Sequence, residues 1–415
     1  MTTTLTPDVL IIGGGPAGLT AATILAPGLD VLVLEREQHA GGIPRHSDHL
    51  GYGIRDLHRF ISGPAYARHL LGAAQRAGAT IRTRAMVTGW TADRAAEVTT
   101  PDGRLQVRAR CTVLATGARE RPRSARLIPG DRAHGVYTTG QLQNLVHLHH
   151  RVPGSRAVVI GAELVSWSAV MTLREAGCTV ELMTTQHRAP ESYAAFNLAG
   201  RLALRTRIAT RTRIVNIIGK PRLQAVQIEN IDTGQRRTIN CDTVVLTGDW
   251  IPDHELARTV GITLDPHTLG PVVDTALRTN VPGMFAAGNL VHPVDTADIA
   301  ALDGRHVADQ VRGYLAGHRA AADSVNIRTE QPFKWISPNV LRAGDPAPAR
   351  RRLLLWTDQL VRAPHITVCQ NGTEIAHRRL PWPASPGRVF RVPSTLLDKA
   401  TPHGGDITIG LRTGS

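Results

Sequence analysis

Hydrophobic positions along the chain fall into short runs with two periods. Val9 to Ile12 is an aliphatic run with no polar interruption, as expected of a strand buried on both faces. Helical spacing follows at Ala17, Leu19, Ala21, Ile24 and Leu25, and a second uninterrupted run, Val31 to Leu34, ends on Glu35. The pattern predicts strand, glycine turn, helix and strand over 9–37. A helix is expected at about 65–77. Short strands follow over 79–113, with a turn at Pro101-Asp102-Gly103 and strands at 79–87 and 105–110. The buried run Cys111 to Leu114 then closes on Ala115-Thr116-Gly117.

The same plan recurs further on. Arg156 to Thr185 again reads strand, glycine turn, helix, strand, and CDTVVLTGDWIP at 241–252 echoes CTVLATGARERP at 111–122. The first pattern resumes at TNVPGMFAAGN, 279–289, a strand closing on Gly288-Asn289, with a helix starting near Thr296 and running to about Leu315. Beyond Ala321 prolines punctuate the chain, and the tail alternates like strands, with a hairpin across Asn371-Gly372. The expected fold is α/β: two Rossmann-like dinucleotide-binding domains, the second inserted into the first, plus a small C-terminal β-rich module. The expected boundaries are 1–122 with 270–322 for the first domain, 123–269 for the second, 323–351 for a linker and 352–415 for the module. At that size the module is expected to dock on the main body or on a partner.

The first glycine turn, Gly13-Gly14-Gly15-Pro16-Ala17-Gly18, has a chemical rationale at each position. Gly13 permits the sharp turn out of the strand, Gly15 lets backbone approach a pyrophosphate, and Gly18 lets helix and strand pack closely. The helix N-terminus meanwhile faces the phosphate charge. Glu35, 22 positions after Gly13, is placed to accept hydrogen bonds from a ribose. The pair Gly41-Gly42 suggests a second backbone approach to the nucleotide. In the second copy the turn is Gly161-Ala162-Glu163-Leu164-Val165-Ser166, so a carboxylate stands where Gly15 stands, and Thr184 is expected at the position of Glu35. A carboxylate there would crowd and repel a pyrophosphate, which puts NAD(P) binding by this half in doubt.

Composition narrows the picture. The four cysteines, Cys111, Cys178, Cys241 and Cys369, form no CxxC pair and no metal-ligand spacing, which excludes a sequence-local redox dithiol and predicts no metal. The net charge is +14, with 48 basic residues of which only Lys220, Lys334 and Lys399 are lysine. Such a ratio reads as the codon habit of a GC-rich genome rather than as nucleic-acid binding. Arginine clusters at Arg119, Arg121, Arg123 and Arg126, and at Arg201, Arg205, Arg207, Arg211 and Arg213, are expected to be solvated faces. Aromatic residues make up only 4%, and none interleaves the basic stretches. The N-terminus has no basic leader region and no apolar run is bilayer-length, so a cytoplasmic location is expected, without a membrane span.

Three motifs in order, GGGPAG with Glu35, the Ala115-Thr116-Gly117 turn and the Ala286-Ala287-Gly288-Asn289 turn, make the chain resemble the pyridine nucleotide–disulfide oxidoreductase superfamily. The likeness runs from residue 8 to about 320. It implies FAD in the first domain, with Gly13, Gly15, Pro16, Ala17 and Gly18 at the pyrophosphate and Glu35 at the ribose. Arg36 and Val87 would lie near the adenine, and Gly41, Gly42, Ile43, Ala115, Thr116 and Gly117 would line the cofactor. Gly288 and Asn289 would meet the ribityl chain, Asn289 standing where the family has Asp, and Thr296 and Ala297 would offer N–H groups to the flavin's pyrimidine edge. The stretch GGIPRHSDHLGYGIRDLHRFISGPAYARHL, with GAELVS and VHPVDTADIAAL, is similar to the pyridine-nucleotide-like subunit of bacterial heteromeric flavin dehydrogenases of the opine oxidase, hydrogen cyanide synthase and dye-linked proline dehydrogenase type.

That likeness implies an FAD-dependent oxidoreductase subunit in an oligomer. Its flavin would pass electrons between an acceptor and a partner flavoprotein, amino-acid-oxidase-like or glycerol-3-phosphate-dehydrogenase-like. The missing dithiol argues against a disulfide reductase. Two other readings are a free-standing NAD(P)H-dependent flavin oxidoreductase and a structural subunit holding a nucleotide without redox function. His46, His49 and His292 sit beside cofactor-lining turns, yet ordinary loop or supporting roles are expected for them, and no catalytic residue is assigned.

Overall fold

The computed structural model describes residues 3–412. The chain divides into two compact units, one of residues 46–50 and 120–250, the other of the remainder.

In the larger unit the uninterrupted apolar runs form a parallel sheet, in spatial order Met284–Ala286, Cys111–Leu114, Val9–Ile12, Val31–Leu34 and Thr80–Arg82. All four residues of Val9–Ile12, Val31–Leu34 and Cys111–Leu114 are buried, in a core that takes in helix residues such as Leu19, Leu70 and Val307 together with Val98, Leu105 and Val107 of a second sheet. Helix Pro16–Leu25 follows the first strand and helix Ala297–Leu315 follows the last. The two cross tightly: a Cβ on Gly304 would stand 2.2 Å from the carbonyl oxygen of Ala17, so only glycine fits there. Strands Met86–Trp90, Ala96–Thr100, Gly103–Val107 and Thr3–Leu5 form the accompanying four-stranded sheet. The run expected as one strand over 79–87 breaks at Arg84, whose φ of 51° interrupts extended backbone.

The second unit repeats the plan. Its parallel sheet runs Val136–Thr138, Thr243–Leu246, Arg156–Ile160, Thr179–Thr184 and Ile208–Ala209, with helix Leu164–Glu175 after the first glycine turn and a three-stranded meander over 212–240. Its limits differ from the sequence expectation of 123–269. Residues 251–269 belong to the larger unit, because Ala257 and Ile262 are buried in that unit's core and the Trp90 indole N–H donates to the Leu256 carbonyl at 2.9 Å.

The proline-punctuated stretch read as a linker is instead part of the C-terminal module. It carries strands Ser324–Thr329, Phe333–Ser337 and Val340–Arg342. With Arg352–Thr357, His365–Gln370, Thr373–Arg379, Phe390–Pro393 and Ile407–Leu411 they build a five-stranded and a three-stranded sheet around one core. The prolines mislead because Pro332 and Pro338 fall just outside strand ends, where no ladder N–H is needed. The module is anchored on the larger unit's body by Asp274, which accepts from Arg278 at 2.8 Å and Arg342 at 3.1 Å, and by Asn339, whose N–H donates to the Val273 carbonyl at 2.9 Å. Among the described residues no helix is long and apolar enough to cross a membrane.

Candidate functional site

The three motif glycines of the first turn are glycine for different physical reasons. Gly13 has a φ of 111°, and a Cβ there would lie 2.3 Å from the Ala115 carbonyl oxygen. A Cβ on Gly18 would lie 2.0 Å from the Gly13 carbonyl oxygen. Both are demanded by packing. Gly15, at the start of helix Pro16–Leu25, has an ordinary φ of −85°, and its Cβ would meet only the Gly42 Cα at 4.0 Å. Among the described residues nothing requires glycine at Gly15. The open space and the free N–H groups of a helix start together make an anion cradle.

Around that cradle the other sequence-predicted residues take up defined places. Glu35 is buried, with one carboxylate oxygen accepting the Gly14 N–H at 2.9 Å and the other the Glu37 N–H at 2.8 Å. Each oxygen retains a lone pair for a further donor. Gly41 donates its N–H to the Gly14 carbonyl at 2.7 Å, and Gly42 lies directly against Gly15, so this second glycine pair is a wall of the cradle. Ile43 is exposed at the start of a 3-10 turn, and Val87 is buried in strand Met86–Trp90. Ala115 continues the sheet by donating to the Ile12 carbonyl at 2.8 Å.

Sequence reasoning missed Asp253, which it had placed in the second domain. Its backbone accepts the Thr116 hydroxyl at 2.8 Å and donates to the Gly117 carbonyl at 2.9 Å, and its carboxylate accepts from Arg36 at 3.1 Å and from Arg119. The Ala115-Thr116-Gly117 turn is therefore clamped from 137 residues away. Arg36 is committed to this clamp. Arg119 lies on an exposed face, where it pairs with Asp253 and Glu255, whereas Arg126 of the same cluster is turned inward, donating to the Thr247 and Gly248 carbonyls at 2.7 Å each.

The closing turn lies at the same helix start. A Cβ on Gly288 would stand 2.9 Å from the Ala17 Cβ and 3.4 Å from that of Ala300, which brings this turn against the first turns of both long helices. The Asn289 side-chain nitrogen donates to the Asp295 carbonyl at 2.9 Å, while its oxygen is buried with no protein partner. Thr296 had been expected to offer its N–H to a ligand. That N–H is already donated to the Asp295 carboxylate at 3.0 Å, leaving Ala297, the first helical residue, with the free donor of a helix start. Asp295 was not singled out from the sequence. Its signal was available, an acid directly preceding the helix start.

The histidines take supporting places. His292 is buried and paired with Asp303, whose carboxyl also accepts from Arg350 at 2.6 Å. Burial opposes charge there, yet the Arg350 guanidinium and the His292 ring hold Asp303 well below the usual carboxylate range. His46 is buried, and His49 bonds Ser47 at 3.0 Å and the Leu50 carbonyl at 2.8 Å, with burial holding its pKa down. Cys111, Cys178 and Cys241 are buried, and burial pushes each thiol up to about 12; all four cysteines are free. Among the described residues no group of acids, histidines and cysteines could hold a metal ion.

The second glycine turn is filled by the protein itself. Glu163 occupies the position of Gly15 and is buried, accepting from the Ser166 hydroxyl at 3.0 Å and the Thr247 hydroxyl at 3.1 Å. The Ser166 and Thr247 hydroxyls lie 2.7 Å apart, so their two protons are shared between this contact and the carboxylate. Register corrects one expectation: Gly161 donates to the Thr184 carbonyl as Gly13 does to that of Leu34, so the counterpart of Glu35 is Thr185, not Thr184. Thr185 donates to Glu191 at 2.9 Å. Burial, and then the neighbouring Glu163 charge, push Glu191 up to about 8.

The first site thus fits a dinucleotide: a glycine cradle that packing alone does not explain, a buried acid with spare lone pairs, and a buried amide oxygen without a partner. Comparisons with known proteins agree. The sequence pattern described as pyridine nucleotide-disulphide oxidoreductase matches residues 7–304. Thioredoxin reductase of Treponema pallidum (strain Nichols) is 29% identical over 332 residues, covering 76% of this chain and 96% of the relative. An opine oxidase subunit of Agrobacterium tumefaciens (strain Ach5) is 28% identical over 352 residues, covering 78% of this chain and 67% of the relative. Among solved structures, T. acidophilum thioredoxin reductase has a TM-score of 0.64 at 22% identity, covering 75% of this chain and 99% of that one. L-proline dehydrogenase from P. horikoshii has a TM-score of 0.58 at 19%, covering 77% and 58%; both likenesses concern the fold. With two dinucleotide-binding folds and an intact first turn, this chain belongs to the pyridine nucleotide–disulphide oxidoreductase family, whose cofactor is FAD.

Proposed function

We propose that this oxidoreductase is the FAD-carrying subunit of a heteromeric flavin dehydrogenase or oxidase, passing electrons between a substrate-oxidising partner flavoprotein and an acceptor. FAD supplies the redox chemistry, taking up and giving back electrons. The chain's own residues bind and orient it. Gly15 and the N–H groups of helix Pro16–Leu25 would hold the pyrophosphate, with Gly42 as the opposite wall, and Glu35 would accept from the adenosine ribose. Asn289 would use its unpartnered amide oxygen at the ribityl chain, and Ala297 would place a backbone donor where reduction adds negative charge.

The observation that carries this reading is the asymmetry between the two turns. One is open with no packing reason to be glycine, and the other is closed by Glu163, Ser166 and Thr247. A self-filled second turn argues against NAD(P)H as the routine reductant. The scattered thiols, three of them buried, argue against a disulfide reductase, since that chemistry needs two thiols in reach of each other and of the flavin. The similarity to an opine oxidase subunit favours a role within a larger complex.

Anaerobic mixing of the purified, flavin-loaded protein with NADH or NADPH tests the proposal. Flavin absorbance is expected to persist; rapid bleaching by either nucleotide would point to a free-standing NAD(P)H-dependent enzyme. Affinity purification from the native host is expected to bring down a second flavoprotein. Disulfide turnover that disappears when one of the four cysteines is replaced by serine would restore the reductase reading.

A further inference from the structure

The C-terminal module touches the flavin-binding body at more than one place, and the contacts differ in kind. The Asp274, Arg278, Arg342 and Asn339 anchor ties the module to the segment that precedes strand Met284–Ala286. The second contact falls on the loop 288–296. Arg391, on the module's strand Phe390–Pro393, donates to the Asp295 carboxylate at 2.5 Å. Val294 of the same loop packs against Trp335, Leu354 and Val389 of the module.

Asp295 is an unusual residue to bury. Its side chain is 2% exposed, one of its oxygens has no partner, and it sits between Asn289 and Thr296, holding the first through its carbonyl and the second through its carboxylate. A buried carboxylate beside a site that must accept electrons opposes reduction, because reduction adds negative charge in a poorly screened region. The helix start at Ala297 offsets part of this. The only guanidinium on the Asp295 carboxylate among the described residues comes from the module. A parallel arrangement lies further along the same helix, where Arg350 of the module meets Asp303, itself paired with His292.

We propose that Arg391 is a positioning residue that acts on the flavin through Asp295, so that the C-terminal module sets the reduction potential of a cofactor it does not itself bind. This rests on the flavin assignment above. With Arg391 in place the Asp295 charge is neutralised and the loop carrying Asn289 and Thr296 is held; without it a bare carboxylate remains on that loop, beside the residues that would hold the flavin.

The test is the midpoint potential of the intact, flavin-loaded protein, measured by dye equilibration alongside flavin content and thermal midpoint. Arg391→Gln is expected to disfavour reduction at least ten-fold in the equilibrium constant, about 30 mV lower for a two-electron couple. Asp295→Asn, which keeps an acceptor for the Thr296 N–H, is expected to shift the potential in the opposite direction, and Arg391→Lys to stay near wild type. Arg342→Gln, at the other anchor, is the control and is expected to move thermal stability but not potential. Opposite signs for the two single variants are what a merely structural contact would not produce. An unchanged or same-direction shift in both, or an equal shift in the control, overturns the inference. Should Arg391→Gln not fold, the upward shift of Asp295→Asn decides the matter alone. Colourless wild-type protein would overturn the flavin assignment and this inference together, whereas loaded protein with unmoved potentials overturns this inference only.

Discussion

Gly15 and Glu163 hold the same place in two copies of one turn, each at the residue before a helix, each followed by the same strand-to-helix geometry. Around Gly15 the protein leaves room. Around Glu163 its own side chains fill the turn, a carboxylate and two hydroxyls lying in hydrogen-bond contact at the helix start. The contrast teaches that a fold can keep the dinucleotide plan while its own side chains fill the turn. One carboxylate at the cradle repels the anion and also occupies the N-terminal end of the helix dipole that would have bound it.

The sharpest way to break this comparison is to make the first turn resemble the second. Gly15→Glu places a charge about 4 Å from a pyrophosphate, costing about 4 kcal/mol at an effective dielectric of about 20, or roughly a thousand-fold in FAD affinity. The purified variant is expected to be colourless, read from visible absorbance relative to protein; yellow protein would refute the assignment of the cradle. Gly18→Ala and Gly15→Ala then separate packing from binding. The first drives a Cβ against the Gly13 carbonyl and is expected to cost about 3 kcal/mol of stability, seen in the thermal midpoint of cofactor-stripped protein. The second meets no protein atom closer than 4.0 Å and is expected to stay within about 1 kcal/mol while still weakening flavin retention.

The second turn has its own signature in pH. Glu191 is raised to about 8 in the folded unit from an ordinary value of 4.5, so between those values the native state holds a proton that the unfolded chain has released. Stability should therefore be full below about pH 4.5 and fall as pH rises toward about 8, at up to about 1.4 kcal/mol per pH unit. Glu191→Gln is expected to flatten that slope in denaturant titrations taken at several pH values; an unchanged slope would refute the raised Glu191 carboxyl as its source. The smallest expected effect is that of Glu163→Gln, which keeps an acceptor for one of the two hydroxyls, offers an N–H to the other, and removes the neighbouring charge that helps raise Glu191. Stability near pH 8 should rise by about 1 kcal/mol.

Much of the architecture was legible in the sequence because it rests on local periodicity: four-residue apolar runs for strands buried on both faces, and glycines where backbone must turn or approach. Glu35, the Ala115-Thr116-Gly117 turn and the Gly288-Asn289 turn could be picked out for the same reason. Other features were not local. Thr185 rather than Thr184 matches Glu35, which only the pairing of Ile160 with Thr184 reveals. Asp253 clamps the turn at Thr116 from a segment that the internal repeat had assigned to the other domain. Prolines at strand ends were indistinguishable from prolines in a linker, since both positions lack a partner for the missing N–H.

The sequence by itself determined that a dinucleotide cradle exists in the first copy and that a carboxylate stands in its place in the second, because residue type at a turn decides what backbone and charge can do there. Only the tertiary structure decided that Gly15 is free of packing duty, that Glu163 is satisfied where it lies, and that Arg391 reaches Asp295. Those facts depend on distances between segments far apart in the chain, and no periodicity encodes which buried charge will find which partner.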